Sequence, residues 1–370
     1  MGKILSNVKQ TILILKCVPQ VALIQELLCY TRPGEKKMVV KICKKQVLGN
    51  EFYSYWFKRI NMKNKITRRN ALQTIGALSA AALLNREDSM AVNQQIMLQR
   101  NIPVTNEKLP VVGLGSWIQF DVGKSPAERK ELTRVLVAMH QSGGRLIDSS
   151  PMYGQAEEVI GDLTADLEFK NKLFYATKVW TTGKQAGIDQ MNESFRKMGR
   201  KTMDLMQVHN LQDWQTHLKT LKSWKEEGKV RYIGITHYTA SAHAQLEEIV
   251  KSKAVDFVQF NYFIKVRNAE KSLLKTAHDH GVAVIINEPF DSGSLFKLVK
   301  GKELPAWSAE YDIKSWAQYF LKYILANQAV NCVIPGTSDE KHLLDNMGAG
   351  FGKLPDEAGR IKMIKYLETI

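Results

Sequence analysis

The chain has 370 residues, of which 44% are hydrophobic and 24% charged, a composition typical of a globular protein with one large domain or two ordinary ones. The formal charge of +15 is uneven, because residues 1–90 carry a net +11 and residues 91–370 only +4. No basic stripe interleaved with aromatic residues follows residue 90, so we expect no nucleic-acid binding. Cys17, Cys29 and Cys43 lie near the start, which leaves Cys332 alone and excludes a disulfide framework in the body of the chain.

Residues 62–91 have the three-part shape of an export signal. A short basic segment from Met62 reaches the pair Arg68 and Arg69, and about a dozen small and apolar residues follow. A helix that spans a bilayer needs ~20 such residues, so the run is too short for a membrane span. It resembles a twin-arginine signal, which predicts an exported or periplasmic protein that engages the twin-arginine machinery through Arg68 and Arg69. The alternative is a disordered basic tail on a cytoplasmic protein.

Residues 1–61 contain an interrupted apolar stretch and no organised motif. Because Met62 stands where an export signal should begin, we hypothesise that translation starts there. Residues 1–61 would then be a misassigned or disordered extension. Mass spectrometry of the natural N-terminus tests this, since any peptide from before Met62 contradicts it.

From about residue 97, short β-type runs alternate with helical ones. The segment "IMLQRNIPVTNEKLPVVGLG" predicts a β-hairpin that turns at Asn106, Glu107 and Lys108 and leads into a buried strand, Val111 to Gly115. Seven more apolar runs follow it: "RLIDSS", "KLFYATKVW", "DLMQVHN", "RYIGITHY", "VDFVQFNY", "GVAVIINEP" and "VNCVIPG". Segments with helical spacing lie between them, and several end in glycine, as helices often do.

Eight strands alternating with helices predict an α/β protein, a parallel (β/α)8 TIM barrel over residues 92–370 preceded by the short hairpin. A doubly wound sheet is the alternative fold. No strand leads directly into a GxGxxG phosphate turn, which favours the barrel.

Polar residues end six of the predicted strands, where a barrel of this kind collects its active site. These residues are Asp148, Lys178, His209, Thr236, Gln259 and Asn287, and Tyr153 follows in the loop after the second strand. An acid, an amine, an imidazole and a phenol are therefore expected at one mouth.

These four groups suit the reduction of a carbonyl. A phenol has a pKa of ~10 and is a reluctant donor at neutral pH, but a neighbouring ammonium would lower that pKa. A carboxylate would fix the lysine, and a neutral imidazole would polarise the carbonyl oxygen. Taken singly, each residue has a structural interpretation: a loop acid, a half-buried tyrosine, a solvated lysine and a packed histidine. The other histidines lack the spacing of metal ligands, so no metal site is expected. Ser149 and Ser150 lack the GxSxG turn of a serine nucleophile.

The segments "LPVVGLGSW", "LIDSSPMYGQAEEVIG", "FYATKVW", "DLMQVHN", "IGITHY", "VQFNY" and "VIPGTSDEKHLLDN" resemble, in this order and spacing, the aldo-keto reductases. The resemblance covers residues 95–350. It places the family's catalytic residues on Asp148, Tyr153, Lys178 and His209. It implies reduction of aldehydes or ketones by NADPH, with Tyr153 as the general acid.

The resemblance also implies cofactor contacts. Gln259 matches the glutamine that holds the nicotinamide amide, Thr236 matches a hydroxyl, and His237 and Asn287 replace residues common in the family. Gly336 and His342 replace two cations that commonly contact the 2′-phosphate, which leaves Lys341 as the phosphate partner and NADH as an alternative cofactor. The complete set of expected contacts is Thr236, His237, Gln259, Asn287, Pro289, Phe290, Thr337, Lys341, His342 and Asn346.

Trp117 and Trp180 follow the first and third strands, so we expect them to line the substrate pocket, with core packing as the alternative. Two other functions stay open. One is a cofactor-binding regulatory subunit with little turnover, and the other is a Schiff-base aldolase that uses Lys178 as its nucleophile. The substrate within the carbonyl class and the oligomeric state are not predicted.

Overall fold

The computed structural model describes the backbone of residues 23–30, 39–48 and 51–55 and, with side chains, residues 96–370. The chain forms two compact units, Met1–Asn93 and Gln94–Ile370. The leader residues Met62, Arg68 and Arg69 lie outside the described residues, so export remains a prediction.

In the first unit, three strands form an antiparallel sheet in the order β1-β2-β3. Their bounds are Leu23–Tyr30, Val39–Leu48 and Glu51–Tyr55. The sequence pattern had indicated no element there. The start of translation at Met62 stays a prediction.

The second unit begins with the predicted hairpin, in which β4 (Gln99–Asn101) pairs antiparallel with β5 (Lys108–Pro110). The turn comes slightly earlier than predicted, because Lys108 already belongs to the second strand and Asn106 adopts a left-handed φ of 60°. Ile102 and Leu109 are fully buried and pack with residues of the barrel interior. The hairpin therefore covers the end of the barrel at which the strands begin.

Eight parallel strands follow and form one sheet in sequence order. They are β6 Leu114–Gly115, β7 Leu146–Asp148, β8 Phe174–Val179, β9 Met203–His209, β10 Val230–Thr236, β11 Phe257–Asn261, β12 Ala283–Asn287 and β13 Val330–Val333. Parallel bridges from Val112 to Val333 and from Gly115 to Gly336 close the sheet. A side chain at position 115 would meet Ile334 O at 2.9 Å, so this seam needs glycine. The predicted barrel is confirmed, and the doubly wound sheet is wrong.

Helices surround the barrel in the described part of the chain. They are α1 Pro126–Gln141, α2 Ala156–Ala165, α3 Lys184–Lys197, α4 Trp214–Glu226, α5 His243–Lys251, α6 Leu273–Asp279, α7 Ser294–Leu298, α8 Trp316–Leu325, α9 Glu340–Gly348 and α10 Glu357–Glu368. Gly143, Gly228 and Gly281 follow three of them with φ between 69° and 87°, as glycine at a helix end permits. No helix among residues 96–370 is long and apolar enough to cross a membrane.

The apolar core has two layers, one inside the barrel and one between the barrel and the helices, and successive residues of β8 point to each in turn. Phe174 and Ala176 join the cluster inside the barrel, whereas Tyr175 and Val179 join the cluster between barrel and helices. Strands buried on both faces read as nearly continuous apolar runs, which is the pattern that the sequence shows. A polar residue in such a strand, such as Lys178, is therefore conspicuous.

Candidate active site

The structure brings the four predicted catalytic residues together at the mouth where the strands end. Asp148 ends β7, Lys178 lies near the end of β8, and His209 ends β9. All three are buried, and Tyr153 reaches them from the loop after β7. The aligned carboxyl ends of parallel strands explain this convergence of residues that are distant in sequence.

A buried ion pair forms the base of the site. Lys178 Nζ donates to Asp148 Oδ2 at 2.5 Å and to Ser149 O at 2.7 Å. The second carboxylate oxygen, Asp148 Oδ1, accepts from Gln259 Nε2 at 2.9 Å and from Gln207 Nε2 at 3.2 Å. Burial by itself would lower the pKa of Lys178, but the attraction of Asp148 and Tyr153 outweighs it and raises that pKa above its ordinary value. Lys178 therefore stays charged at neutral pH.

Tyr153 lies over this pair, with Lys178 Nζ 4.9 Å from the centre of its ring. Burial raises the pKa of the Tyr153 phenol, and the opposing influence of Lys178 does not overcome it. The net direction is opposite to the expected lowering, because burial has the largest effect on the Tyr153 pKa; Lys178 lowers that pKa as expected, and Asp148 adds a smaller increase. The phenol is thus protonated at neutral pH.

His209 is a neutral imidazole, because burial, with the charges of Lys178 and His237, lowers its pKa to about 2. Its ring meets the ring of Tyr153 edge-on at 5.7 Å. Ser150 Oγ lies 2.8 Å from His209 Nδ1 and accepts a hydrogen bond from Met152 N at 3.3 Å. When the serine hydroxyl donates to Nδ1, the proton of the neutral imidazole lies on Nε2.

Ser150 is a site residue that sequence reasoning missed. Its signal was its position within "LIDSSPMYG", between the acid and the tyrosine. Gln207, two residues before His209, was also missed. An amide in an apolar strand was visible, but its bond to Asp148 required the fold.

The expected nicotinamide contacts form a second polar cluster beside the ion pair. Thr236 Oγ1 donates to Gln259 Oε1 at 3.1 Å, and Asn287 Nδ2 lies 3.4 Å from the same oxygen. Both ends of the Gln259 amide thus have partners within the protein, and its contact with a cofactor stays a prediction. Asn287 Oδ1, in contrast, is buried and has no partner among the described residues. His237 stacks on Tyr238 at 5.5 Å, on the same rim.

Two further expected contacts follow β12. Pro289 is buried, and the ring of Phe290, in the segment between β12 and α7, packs 4.8 Å from the ring of Phe296 on α7. Glu288, which was not predicted, has a φ of 49°, a conformation that residues other than glycine rarely adopt. Burial raises the pKa of Glu288. The charge of Glu288 contributes to the raised pKa of Tyr153, so this carboxyl group is close enough to influence the active site.

The other expected cofactor residues gather at the start of α9, beyond the end of β13. The Asp339 carboxylate caps this helix by accepting from the backbone N–H groups of Lys341 at 2.7 Å and His342 at 3.0 Å. The side chains of Lys341 and His342 are exposed, whereas Thr337 and Asn346 are buried.

Trp117 and Trp180 are 49% and 41% exposed, respectively, so the alternative of core packing is wrong for both. They lie in the loops after β6 and β8. The backbone of Trp180 is fixed by Gln190, which accepts from its N–H at 2.5 Å and donates to its carbonyl at 3.0 Å. Their contact with a substrate stays a prediction.

A family model described as the aldo/keto reductase family matches residues 111–365. The chain therefore belongs to the aldo/keto reductase family and is an oxidoreductase. It is 27% identical over 264 residues to an aldo-keto reductase of Strobilurus tenacellus, covering 61% of this chain and 78% of that relative. It is 25% identical over 261 residues to the methylglyoxal reductase YeaE of Escherichia coli, covering 68% and 88%.

Solved structures share the fold. An aldo-keto reductase from Bacillus halodurans in its holo form has a TM-score of 0.60 at 20% identity, covering 73% of this chain and 96% of that one. An aldo-keto reductase from Klebsiella pneumoniae in complex with NADPH has a TM-score of 0.59 at 22% identity, covering 73% and 95%. At such identities these structures support the fold alone.

Proposed function

We propose that this protein reduces an aldehyde or ketone to an alcohol at the barrel mouth, with a reduced nicotinamide dinucleotide as the reductant and Tyr153 as the general acid. The observation that carries the proposal is the buried Lys178–Asp148 pair, with Lys178 Nζ 4.9 Å from the centre of the Tyr153 ring. Lys178 keeps its charge beside the phenol, where that charge would stabilise a phenolate.

Each residue then has a distinct role. The phenol of Tyr153 gives its proton to the substrate oxygen as that oxygen becomes an alkoxide, and Lys178 stabilises the phenolate that results. His209 Nε2 donates a hydrogen bond to the same oxygen and polarises the carbonyl. Asp148 holds the lysine in position.

The site fits a nicotinamide, because the buried acceptor Asn287 Oδ1 has no partner within residues 96–370 and a carboxamide N–H would supply one. A bound reduced nicotinamide would supply the hydride to the carbonyl carbon. Asn287, with Thr236, Gln259 and His237 around it, would hold that end, and Thr337, Lys341, His342 and Asn346 the adenosine end. NADPH is our first choice, because Lys341 offers a cation to a phosphate, with NADH as the alternative.

Tyr153→Phe tests the proposal. We expect NADPH-dependent reduction of a panel of small aldehydes, ketones and quinones to fall about 10²- to 10⁴-fold, because the proton donor is lost. Nucleotide binding, followed by fluorescence quenching, should persist, which separates lost chemistry from lost binding. Near-normal turnover of Tyr153→Phe would contradict the assignment of the acid.

The two alternative functions predict different results. A regulatory subunit would bind the nucleotide without turnover in the unaltered protein. A Schiff-base aldolase would be trapped at Lys178 by borohydride in the presence of a carbonyl substrate. The ion pair with Asp148 and the raised pKa of Lys178 weigh against the aldolase, since a nucleophilic amine must be uncharged.

We further propose that residues 62–91 export the folded enzyme with its nucleotide bound. The twin arginine of the leader supports this. Replacing Arg68 and Arg69 by lysine should retain the protein in the cytoplasm, as shown by cell fractionation. An exported protein purified natively without any nucleotide would contradict the second half of the proposal.

A further inference from the structure

A cleft of about 430 Å³ lies on the outside of the barrel, at the end opposite the active-site mouth. Its walls come from the end of α2, the segment that leads into β8, and the segment that leads from α3 into β9. The volume is within the range of ~300–1,000 Å³ typical of small-molecule sites. The residues that carry the following inference are Lys170, Asn171, Tyr175, Arg200 and Lys201.

The cleft is strongly basic. Lys170, Arg200 and Lys201 line it and place three cations around one cavity. Among residues 96–370, no carboxylate forms an ion pair with Arg200, and the only hydrogen bond of its side chain there is a long one of 3.5 Å to the neutral Asn171 Oδ1. The Lys170 ammonium donates to the backbone carbonyl of Ala165, which leaves its charge uncompensated by a carboxylate of that range. The Nε atom of Arg200 is buried without a partner in the same described region. The guanidinium is thus held in place with most of its hydrogen-bonding capacity unused.

Tyr175, which forms the inner wall, gives a second and independent indication. Its side chain is fully buried, yet the phenol oxygen has no hydrogen-bond partner in the described part of the chain. The Thr164 hydroxyl donates to Ile160 O at 2.7 Å and is near enough to the phenol to offset part of the rise in the Tyr175 pKa that burial causes, but the two hydroxyls do not meet the geometry of a hydrogen bond. Buried hydroxyls are nearly always paired, so an unpaired one at a cavity indicates that its partner comes from outside the chain.

The carboxylate of Asp204 lies near Tyr175 but is not the missing partner of the phenol or of Arg200. Asp204 accepts from the backbone N–H of Tyr175 at 2.8 Å with one oxygen and from Arg231 at 2.6 Å with the other. Its charge is therefore compensated. The Arg200 guanidinium lies 4.3 Å from the centre of the Tyr175 ring, so the guanidinium and the phenol lie side by side in the cleft.

We propose that this cleft binds a phosphate group, either free phosphate or a small phosphomonoester, at a site separate from the active site. A phosphate carries close to two negative charges at pH 7 and several acceptor oxygens, which match an arginine fork, two lysines and a phenol. An isolated carboxylate would leave more of this positive charge uncompensated.

The test is calorimetric titration of the full-length protein with inorganic phosphate and, separately, with glycerol 3-phosphate and with acetate. Saturating NADPH is present in one series and absent in another, so that phosphate binding at the active site is recognised by its loss with NADPH. We expect binding that persists with NADPH and that is at least tenfold tighter for a phosphate probe than for acetate. Tighter binding of glycerol 3-phosphate than of inorganic phosphate identifies a phosphomonoester, and the reverse identifies free phosphate.

Variants locate the site. Arg200→Gln should weaken phosphate binding at least tenfold, and Tyr175→Phe about threefold or more, because each removes a donor to a charged group. Tyr175→Phe should not lower the melting temperature without phosphate, since the hydroxyl it removes is unpaired in the fold. Arg134→Gln, on the exposed face of α1, is the matched control and should bind like the unaltered protein.

Three results would overturn the proposal: no binding, binding that Arg200→Gln leaves unchanged, or acetate binding as tight as phosphate. A lowered melting temperature of Tyr175→Phe would show that the phenol has an internal role. None of these results depends on whether the enzyme reduces carbonyls.

Discussion

Two lysines among residues 96–370 are completely buried, and they are held in opposite ways. Lys178, inside the barrel mouth, faces a carboxylate at 2.5 Å, and its pKa is raised. Lys322, on α8, donates to three backbone carbonyls, those of Tyr311 at 2.8 Å, Phe351 at 2.7 Å and Lys353 at 3.0 Å. Burial lowers the pKa of Lys322 to about 8.

The difference shows how the partner decides the fate of a buried charge. A carboxylate compensates the whole charge, whereas carbonyl dipoles satisfy the hydrogen bonds but only part of the desolvation cost. Lys322 cross-links α8 to the segments around residues 311 and 351–353 through these three hydrogen bonds, an arrangement that we call the clasp. Lys178 keeps its charge for chemistry.

The largest expected effect separates the two lysines by activity. Lys178→Met should lower carbonyl reduction about 10³-fold or more, because the phenolate of Tyr153 loses its stabilising charge. Lys322→Met should keep turnover within about threefold, because none of its contacts is a mouth residue. Steady-state NADPH oxidation measures both. Equal losses in the two variants would remove the functional distinction.

The second prediction concerns the stability of the mouth. Lys178→Met should lower the free energy of unfolding by about 3–5 kcal/mol, because Asp148 is left as an uncompensated buried charge. The double variant Lys178→Met with Asp148→Leu should recover at least half of that loss but no activity. Urea unfolding measures the free energies. A double variant no more stable than the single one would show that packing, not charge, is the cause.

The third prediction concerns the clasp. Lys322→Met should lower the free energy of unfolding by about 1–3 kcal/mol, because three carbonyls lose their donor while the burial of a charge is relieved. Tyr366→Phe, which removes a single exposed hydrogen bond to Glu303 O, is the control and should change stability by less than about 0.5 kcal/mol. A Lys322→Met protein as stable as the control would contradict the clasp.

The smallest effect is a difference in pH dependence. An unfolded lysine has a pKa of ~10.4, above that of folded Lys322, so the unfolded chain binds more protons between pH ~8 and ~10.4. Lys322 therefore makes the protein more stable as pH rises through this window, by at most about 1.4 kcal/mol per pH unit. Lys178, with its raised pKa, contributes stability below the unfolded pKa and loses it as pH rises through the folded one.

Urea unfolding of the unaltered protein and of Lys322→Met at pH 7, 8, 9 and 10 isolates the contribution of Lys322. The free energy of unfolding of the unaltered protein, minus that of Lys322→Met, should increase as pH rises from 8 to 10. A constant difference would show that the pKa of Lys322 is not lowered.

Much of the fold was predictable because barrel strands are local signals. Each strand is a short apolar run, and glycines such as Gly228 and Gly281 mark helix ends. The catalytic candidates could be named for the same reason: Lys178 and His209 are polar residues at the ends of otherwise apolar runs. Their roles as catalysts stay predictions.

What the pattern missed depends on contacts between distant segments. The bond of Ser150 to His209 joins residues 59 positions apart, and that of Gln259 to Asp148 joins residues 111 apart. The net direction of the Tyr153 pKa was also missed, because the sequence shows the lysine that lowers this pKa but not the depth of burial of the phenol, which is the larger effect.

The sequence by itself therefore determined the class of fold and the residue types at the mouth, since both follow from periodicity and from polar residues at strand ends. Only the tertiary structure decided how burial shifts the pKa values at the mouth, which amides have partners within the protein, and that Tyr175 and Arg200 lie together at one cleft. These properties depend on burial and on distances of a few ångströms, which arise only when the closed barrel brings its strands side by side.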